Sequence, residues 1–304
     1  MATSPEISII MPTYNRAHLI GETIDSIRNQ TFTNWELLIM DDGSDDNTEE
    51  IVEQIKDERI QFYKAERTGS VSKLKNLAIK KAHGELIAFI DSDDLWALTK
   101  LEKQIAAMKQ YPEAGFCVTG GYTFINKNKP VEYLYKQRDG LKIGNFMLAM
   151  FKSELSGYTQ VLLLRKDCVH VSGYFDETKL FSDPDFILNL ACHFKGVVLY
   201  EPLFYRRLHQ LSDSDEHWEK RYYEWVGVIR SYQTKKMLPA AIAAEALFNL
   251  YINFGEKCLL YKKRKIAIIN FLKAWTNKPF SIIPLKKIAK AVLSFIKTKP
   301  PLQR

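Results

Sequence analysis

The wholly apolar run Leu86-Ile87-Ala88-Phe89-Ile90 ends abruptly in Asp91-Ser92-Asp93-Asp94. A strand without polar alternation must be covered on both faces, the condition of a parallel sheet between helices. The acids then fall at the strand's carboxyl end, the edge where open α/β sheets bind ligands. Asp91 and Asp93 stand two residues apart, so an extended chain points both carboxylates the same way. Grouped carboxylates repel one another. A hard divalent cation such as Mg²⁺ or Mn²⁺, which takes oxygen ligands, would hold them together. The bland reading is a polar turn in which Asp93 or Asp94 caps the next helix. A second acidic strand end in the same context, Asp41-Asp42-Gly43-Ser44, weighs against it.

The surrounding pattern predicts strands over 7–11, 35–40, 60–63 and 116–119. Between them, Leu19, Ile20, Thr23, Ile24 and Ile27 share one helical face, and Asn47 with Glu50 resembles a capping box. A further helix is expected from Ser70 to Ala82 with Gly84 as its cap, and another with Leu98, Leu101, Ile105 and Met108 turned inward. Strand–helix alternation with short loops argues for right-handed crossovers and an α/β fold, a Rossmann-like, mostly parallel sheet flanked by helices. The pattern is clear to residue 119 and looser over 120–215. There, 161–164 and 196–200 read as strands and 186–194 as a helix; from 216 to 304 the chain reads as a helical extension.

The net charge of +7 is uneven: residues 256–304 carry +12, so the remainder is −5 and does not read as a nucleic-acid binder. The basic tail carries an apolar stripe, Leu285, Ile288, Ala289, Val292, Leu293 and Ile296. Such a helix lies on an anionic membrane surface or packs on its own domain, with its lysines solvated. No uncharged apolar run reaches the roughly 18 residues of a membrane span, and no signal peptide is expected. The scattered Cys117, Cys168, Cys192 and Cys258 read as reduced core thiols of a cytoplasmic protein.

Both phosphate-cradling glycine motifs, Gly-x-Gly-x-x-Gly and Gly-x-x-x-x-Gly-Lys-Ser/Thr, are missing, which argues against a dinucleotide oxidoreductase or an ATPase of those kinds. Carboxylates and a cation can still hold a nucleotide. Asp41 or Asp42 can accept from a base N–H or a ribose hydroxyl, Asp91 and Asp93 can reach a pyrophosphate through the cation, and Thr13 and Arg16 would lie beside both.

Ile9-Ile10-Met11-Pro12-Thr13-Tyr14-Asn15-Arg16, then Asp41-Asp42-Gly43-Ser44, then Gly84 through Asp94 resemble the three signatures of family-2 glycosyltransferases of the GT-A fold. The resemblance covers about residues 6–215. It implies a catalytic domain over 1–215, with a nucleotide-sugar half (1–119) and an acceptor half (120–215). It also implies transfer of a sugar, with inversion, from a nucleotide diphosphate donor, most simply a UDP-sugar, to a hydroxyl. The acceptor would be a glycan or lipid-linked glycan of surface polysaccharide or glycolipid synthesis, at the inner face of the cell membrane. Donor contacts would come from Pro12, Thr13, Tyr14, Arg16, Asp41, Asp42, Lys75, Asp91, Ser92 and Asp93. Asp93 would ligate Mn²⁺ or Mg²⁺. Leu74-Lys75-Asn76 stands where the family often has Ala-Arg-Asn.

The family's catalytic base lies in a later acidic motif, resembled here by Phe175-Asp176-Glu177 and Ser182-Asp183-Pro184-Asp185, with Ser182 where Glu is usual. That alignment implies Asp183 as the base; a helix N-cap is the competing reading. Tyr205-Arg206-Arg207-Leu208-His209 resembles a Tyr-Arg-x-x-His region, which implies His209 as a metal or pyrophosphate contact, against an ordinary loop histidine. The rival functions are a nucleotidyltransferase of similar fold and a non-catalytic sugar-nucleotide-binding protein.

Overall fold

The computed structural model describes residues 4–126, 129–134, 140–152, 154–155, 157–208 and 217–296. The chain divides into two compact units, Met1–Met150 with Glu154–Glu216, and Phe151–Ser153 with His217–Arg304.

In the first unit, β1 (Ile7–Thr13), β2 (Trp35–Asp41), β3 (Ile60–Lys64) and β4 (Leu86–Phe89) are parallel in the order β3-β2-β1-β4. Ile9 sits opposite Leu37 on one side and Ala88 on the other. Every residue of β1, β2 and β4 is buried, as their apolar runs require. Right-handed crossovers put α1 (Ile20–Arg28) and α2 (Thr48–Gln54) on one face and α3 (Val71–Lys81) on the other. α1 turns Ile20, Thr23, Ile24 and Ile27 inward. Each isoleucine so buried is worth about 1.5–3 kcal/mol.

After β4 come β5 (Leu95–Trp96), α4 (Lys100–Gln110), β6 (Ala114–Asn126), β7 (Lys129–Tyr133), β8 (Leu141–Gly144) and α5 (Met147–Phe151). A 3₁₀ turn (Thr159–Val161), β9 (Leu162–Arg165), α6 (Asp167–Ser172), α7 (Asp183–His193) and β10 (Lys195–Arg207) complete the unit. The sheet continues β4-β9-β6-β10-β5, with β7 beside β6 and β8 beside β10. β9 is antiparallel to both β4 and β6, and β10 is parallel to β6. Two reversals cancel, so β6 and β10 point the same way as β4. The carboxyl ends of β1, β2, β4, β6 and β10 and the amino end of β9 therefore share one rim.

Several local expectations change. Asn47 makes no capping bond at α2; the Asp46 carboxylate takes the Thr48 N–H (3.0 Å) and, from the other side, the Ala17 N–H (3.0 Å). α4 begins only at Lys100, because Leu95–Trp96 first pairs with β10, and Leu98 is left exposed. Gly84 is not the cap of α3, whose C-cap is Ala82. A Cβ on Gly84 would lie 2.6 Å from the Ser8 nitrogen, so glycine is needed for backbone to pass backbone.

The second unit contains α8 (Trp218–Thr234), α9 (Ala240–Leu260), α10 (Arg264–Asn277) and α11 (Ile283–Ile296). Its interior is aromatic: Tyr222 stacks on Phe254 with centroids 3.5 Å apart, and the Tyr222 hydroxyl donates to Asn270 Oδ1 (2.7 Å). Glu219, Glu245 and Glu256 pair with Lys263, Lys278 and Lys287. Leu285, Val292 and Leu293 of the α11 stripe are exposed while Ala291 is buried, and Phe280, in the turn before α11, is fully exposed. Among the described residues no helix is long and apolar enough to cross a membrane.

Candidate active site

The rim is stitched first between the β1 and β2 ends. Asn15, at φ 50°, donates its N–H to Ser44 Oγ (2.9 Å) and accepts the Asp45 N–H on its side chain (3.0 Å). Asp41 takes both the N–H (2.9 Å) and the hydroxyl (2.5 Å) of Ser44, so it shapes the loop from within. Asp42, only 3% exposed, accepts from the Arg67 guanidinium, from the Thr68 N–H and hydroxyl (2.7 Å each) and from the Gly69 N–H (2.9 Å). Arg67 in turn lies over the Tyr14 ring at 3.5 Å. A buried carboxylate satisfied this way anchors the loop that follows β3. The Thr13 hydroxyl beside it is buried without a hydrogen-bond partner.

The second acidic end is a turn, not an extended segment: the Asp94 N–H donates to the Asp91 carbonyl (3.1 Å). The tight turn brings a third acid in. Carboxylate oxygens of Asp91, Asp93 and Asp94 all lie within 4.8 Å of one another. Asp91 accepts from the Gln160 side-chain amide, Asp93 from Arg16 Nε (3.4 Å), and Asp94 from the Arg207 N–H (2.9 Å). Arg207 Nε also donates to the Asp93 carbonyl (2.9 Å). Burial pushes the Asp91 carboxyl up to about 6, with the Lys75 charge opposing and the Asp93 and Asp183 charges adding. Burial, then Asp93 and Asp91, push Asp94 well above the ordinary carboxylate range. Three crowded oxygen donors whose charged forms are mutually disfavoured fit a hard divalent cation, which would relieve that repulsion.

Opposite this turn, α3 grips the segment leading into α7. The Ser72 and Ser182 hydroxyls share a hydrogen bond (2.7 Å). Asn76 donates to the Phe175 carbonyl (2.9 Å) and Glu177 Oε1 (2.8 Å), and accepts the Phe175 N–H (3.0 Å). Lys75, 2% exposed, donates to Asp183 Oδ1 (2.8 Å) and Oδ2 (3.1 Å) and to the Thr159 hydroxyl (2.9 Å). Thr159 donates onward to Asp183 Oδ2 (2.6 Å). Phe175 stacks on Phe186 at 3.9 Å beneath this network, with Phe89 at their edges. Asp183 opens α7 as its first residue; the N-cap position belongs to Ser182.

Of the residues singled out from sequence, Thr13 ends β1 and Tyr14 and Arg16 follow it, Asp41 ends β2 and Asp42 follows it, and Asp91, Ser92 and Asp93 follow β4. Pro12 is inside β1, opposite Met40. Lys75 is turned to Asp183 and Thr159. His209 lies outside the described residues. Arg67, Thr68, Asn76, Thr159, Gln160 and Arg207 make the site's contacts without a role expected from sequence, and Asp94, expected at most to cap a helix, joins the carboxylate cluster. Asn76 and Arg207 stood inside recognisable motifs, whereas Thr159 and Gln160 carry no signal beyond preceding an apolar strand.

The family model for glycosyl transferase family 2 matches residues 8–167, more than half of the chain, and spans the rim from β1 to β9. The chain belongs to glycosyl transferase family 2. Among curated family relatives, Escherichia coli WfgD, a UDP-Glc:alpha-D-GlcNAc-diphosphoundecaprenol beta-1,3-glucosyltransferase, is 44% identical over 125 residues. That stretch is 41% of this chain and 49% of WfgD, so the match spans about half of the relative's length. Among solved structures, S. aureus TarS 1–349 superposes with a TM-score of 0.68 at 19% identity, covering 97% of this chain and 93% of TarS. The Pyrobaculum calidifontis mannosyltransferase PcManGT, in complex with GDP-Man and Mn²⁺, gives 0.62 at 16% identity, covering 97% and 81%. At those identities the superpositions establish the GT-A type of fold and nothing finer.

Proposed function

We propose that the first unit is an inverting glycosyltransferase that moves a sugar from a UDP-sugar to a hydroxyl of a lipid-linked glycan. The observation that carries this reading is the Lys75–Asp183–Thr159 network at the rim, close enough to the acidic turn for the charges of Asp183 and Lys75 to act on Asp91. It joins a held carboxylate to a cluster suited to a cation. The lipid-linked acceptor is taken from what WfgD acts on, and the UDP donor from WfgD and from TarS, solved with UDP-GlcNAc. Residues 1–119 form the donor half and 120–215 the acceptor half of this reading.

Asp183 removes the acceptor hydroxyl's proton as that oxygen attacks the anomeric carbon. Its side chain is 24% exposed, so an acceptor can reach it. Lys75 and Thr159 use part of its accepting capacity, and a carboxylate retains further lone pairs for the incoming hydroxyl. Lys75 thereby fixes the direction in which Asp183 accepts. Asp42, Arg67 and Tyr14 shape the nucleoside end. Asp93, with Asp91 and Asp94, would hold Mn²⁺ or Mg²⁺, which supplies positive charge for the departing diphosphate when bound. The second unit's basic helices, with exposed Phe280, Leu285, Val292 and Leu293, support a peripheral contact with an anionic membrane surface, where such an acceptor resides.

The test is release of free UDP by the full chain from UDP-glucose, UDP-galactose and UDP-GlcNAc, with Mn²⁺ and GlcNAc-diphosphoundecaprenol. Asp183→Asn lowers turnover by about a hundred- to ten-thousand-fold and leaves UDP affinity intact. Near-normal turnover in a folded Asp183→Asn protein removes Asp183 as the base.

A further inference from the structure

Next to the acidic turn, one cross-strand row consists of three tyrosines. Tyr133 of β7 sits opposite Tyr122 of β6, and Tyr122 sits opposite Tyr205 of β10. Residues directly opposite one another share a sheet face. The rings confirm it: Tyr122 and Tyr205 are stacked with centroids 4.5 Å apart, and Tyr133 meets Tyr122 edge-on at 5.8 Å. Tyr122 and Tyr205 are half-buried, and Tyr133 is 44% exposed. Among the described residues none of the three hydroxyls has a hydrogen-bond partner, and those of Tyr122 and Tyr205 are not enclosed. Buried tyrosines normally find a partner for that oxygen, so packed rings whose phenols are unpartnered and not fully enclosed make an amphipathic wall with hydrogen-bonding capacity to spare.

The wall's place in the fold indicates what it meets. Tyr205 is two residues before Arg207, whose N–H holds Asp94 and whose guanidinium holds the Asp93 carbonyl. Two residues of strand rise are about 7 Å. Tyr205 itself sits opposite Leu95, the residue after Asp94, so the row begins beside the acidic turn, on the strands beyond β9 and away from the nucleoside end at β2. Burial, with the neighbouring ring second, raises the hydroxyls of Tyr122 and Tyr205, which therefore stay protonated and able to donate at neutral pH.

We infer that Tyr122, Tyr133 and Tyr205 form a carbohydrate-binding platform for a pyranose unit of the acceptor. The C–H face of a pyranose lies against a tyrosine ring face that the Tyr122–Tyr205 stack leaves free, and its hydroxyls exchange hydrogen bonds with the phenols. This platform rests on the glycosyltransferase reading of the first unit and adds to it where the acceptor sugar lies.

Saturation-transfer difference NMR on the full chain with UDP and Mn²⁺ tests it. The probes are methyl α-D-glucopyranoside, methyl N-acetyl-α-D-glucosaminide and methyl β-D-galactopyranoside. At least one sugar should receive saturation, concentrated on the protons of one ring face. Tyr133→Leu, at an exposed position that tolerates the change, and Tyr122→Leu should each reduce it at least fivefold. Tyr133→Phe should keep at least half. No saturation of any probe by the unaltered protein, or equal saturation by the folded Tyr133→Leu protein, overturns the platform. Calorimetry with UDP on the same samples separates the two readings: loss of UDP binding in the unaltered protein would defeat the donor site while the sugar result stands.

Discussion

Lys75→Met asks whether the buried ammonium holds Asp183. Methionine keeps the apolar stem of the side chain and removes the charge, so packing is nearly conserved. Two unit charges about 3 Å apart attract by about 5 kcal/mol at an effective dielectric of 20, and most of that is spent on desolvating the ammonium. Removing one member of a buried pair costs about 3–5 kcal/mol, because the other is left without its partner. Asp183 keeps 24% of its side-chain surface in water and retains the Thr159 hydroxyl, which places the expected loss lower, at about 2–3 kcal/mol. For a unit of this size that is about 5–10 °C in melting temperature. Urea unfolding of Lys75→Met, Asp183→Asn and the double variant gives the coupling, expected to be at least about 1 kcal/mol. In the UDP-release assay the double variant should be no slower than the slower single one, as groups acting as a unit behave. Coupling below about 0.5 kcal/mol, or multiplied losses of turnover, would show that Lys75 does not act through Asp183.

Asp93→Ala should abolish Mn²⁺-dependent UDP binding, read by calorimetry with and without the ion; unchanged affinity would place the cation elsewhere. Lys100, fully buried beside Trp96 and Gln104, is pushed down to about 7 by burial. The unfolded chain keeps that proton to about pH 10, so from about pH 7 to 8.5 the unfolded state binds more protons and stability rises with pH. Lys100→Met should flatten that rise in urea midpoints; an identical rise in both proteins contradicts the buried amine. Above that window burial of Cys117, raised to about 12, acts with the opposite sign. The full chain should float with vesicles containing anionic lipid at low salt and be released by high salt. A chain ending before residue 256 should not float, and equal, salt-insensitive behaviour of the two would dismiss membrane contact.

The parallel half of the sheet is readable from residues alone because an unbroken apolar strand has one stable environment. The runs at Ile7, Trp35 and Leu86 each become fully buried strands ending at the rim. Direction is different. The run before Arg165 has the same composition as the others, yet it forms β9 antiparallel to both neighbours, and nothing in an apolar run encodes its sense. The acidic residues at 41–42 and 91–94 announce themselves by type, but their number at the turn does not. Extended spacing selects Asp91 and Asp93, whereas the hydrogen bond from Asp94 to Asp91 folds all three together. Lys75 illustrates the remaining limit. Its neighbours in sequence place it on a helix, but the carboxylate it pairs with lies 108 residues away, and only tertiary packing brings the two together.

The grip of α3 on the segment before α7 joins positions 99 to 110 residues apart in the chain. At ribosomal speeds of about 5–20 residues per second, α3 emerges about 5–20 s before the serine and aspartate it will hold. Through most of that interval Ser72 and Asn76 lack these partners and Lys75 waits for Thr159, 84 residues on, so the loop-closure entropy for joining them falls due late. The network around Asp183, like the Arg207 contacts to the acidic turn, therefore closes only after nearly all of the first unit has been synthesised.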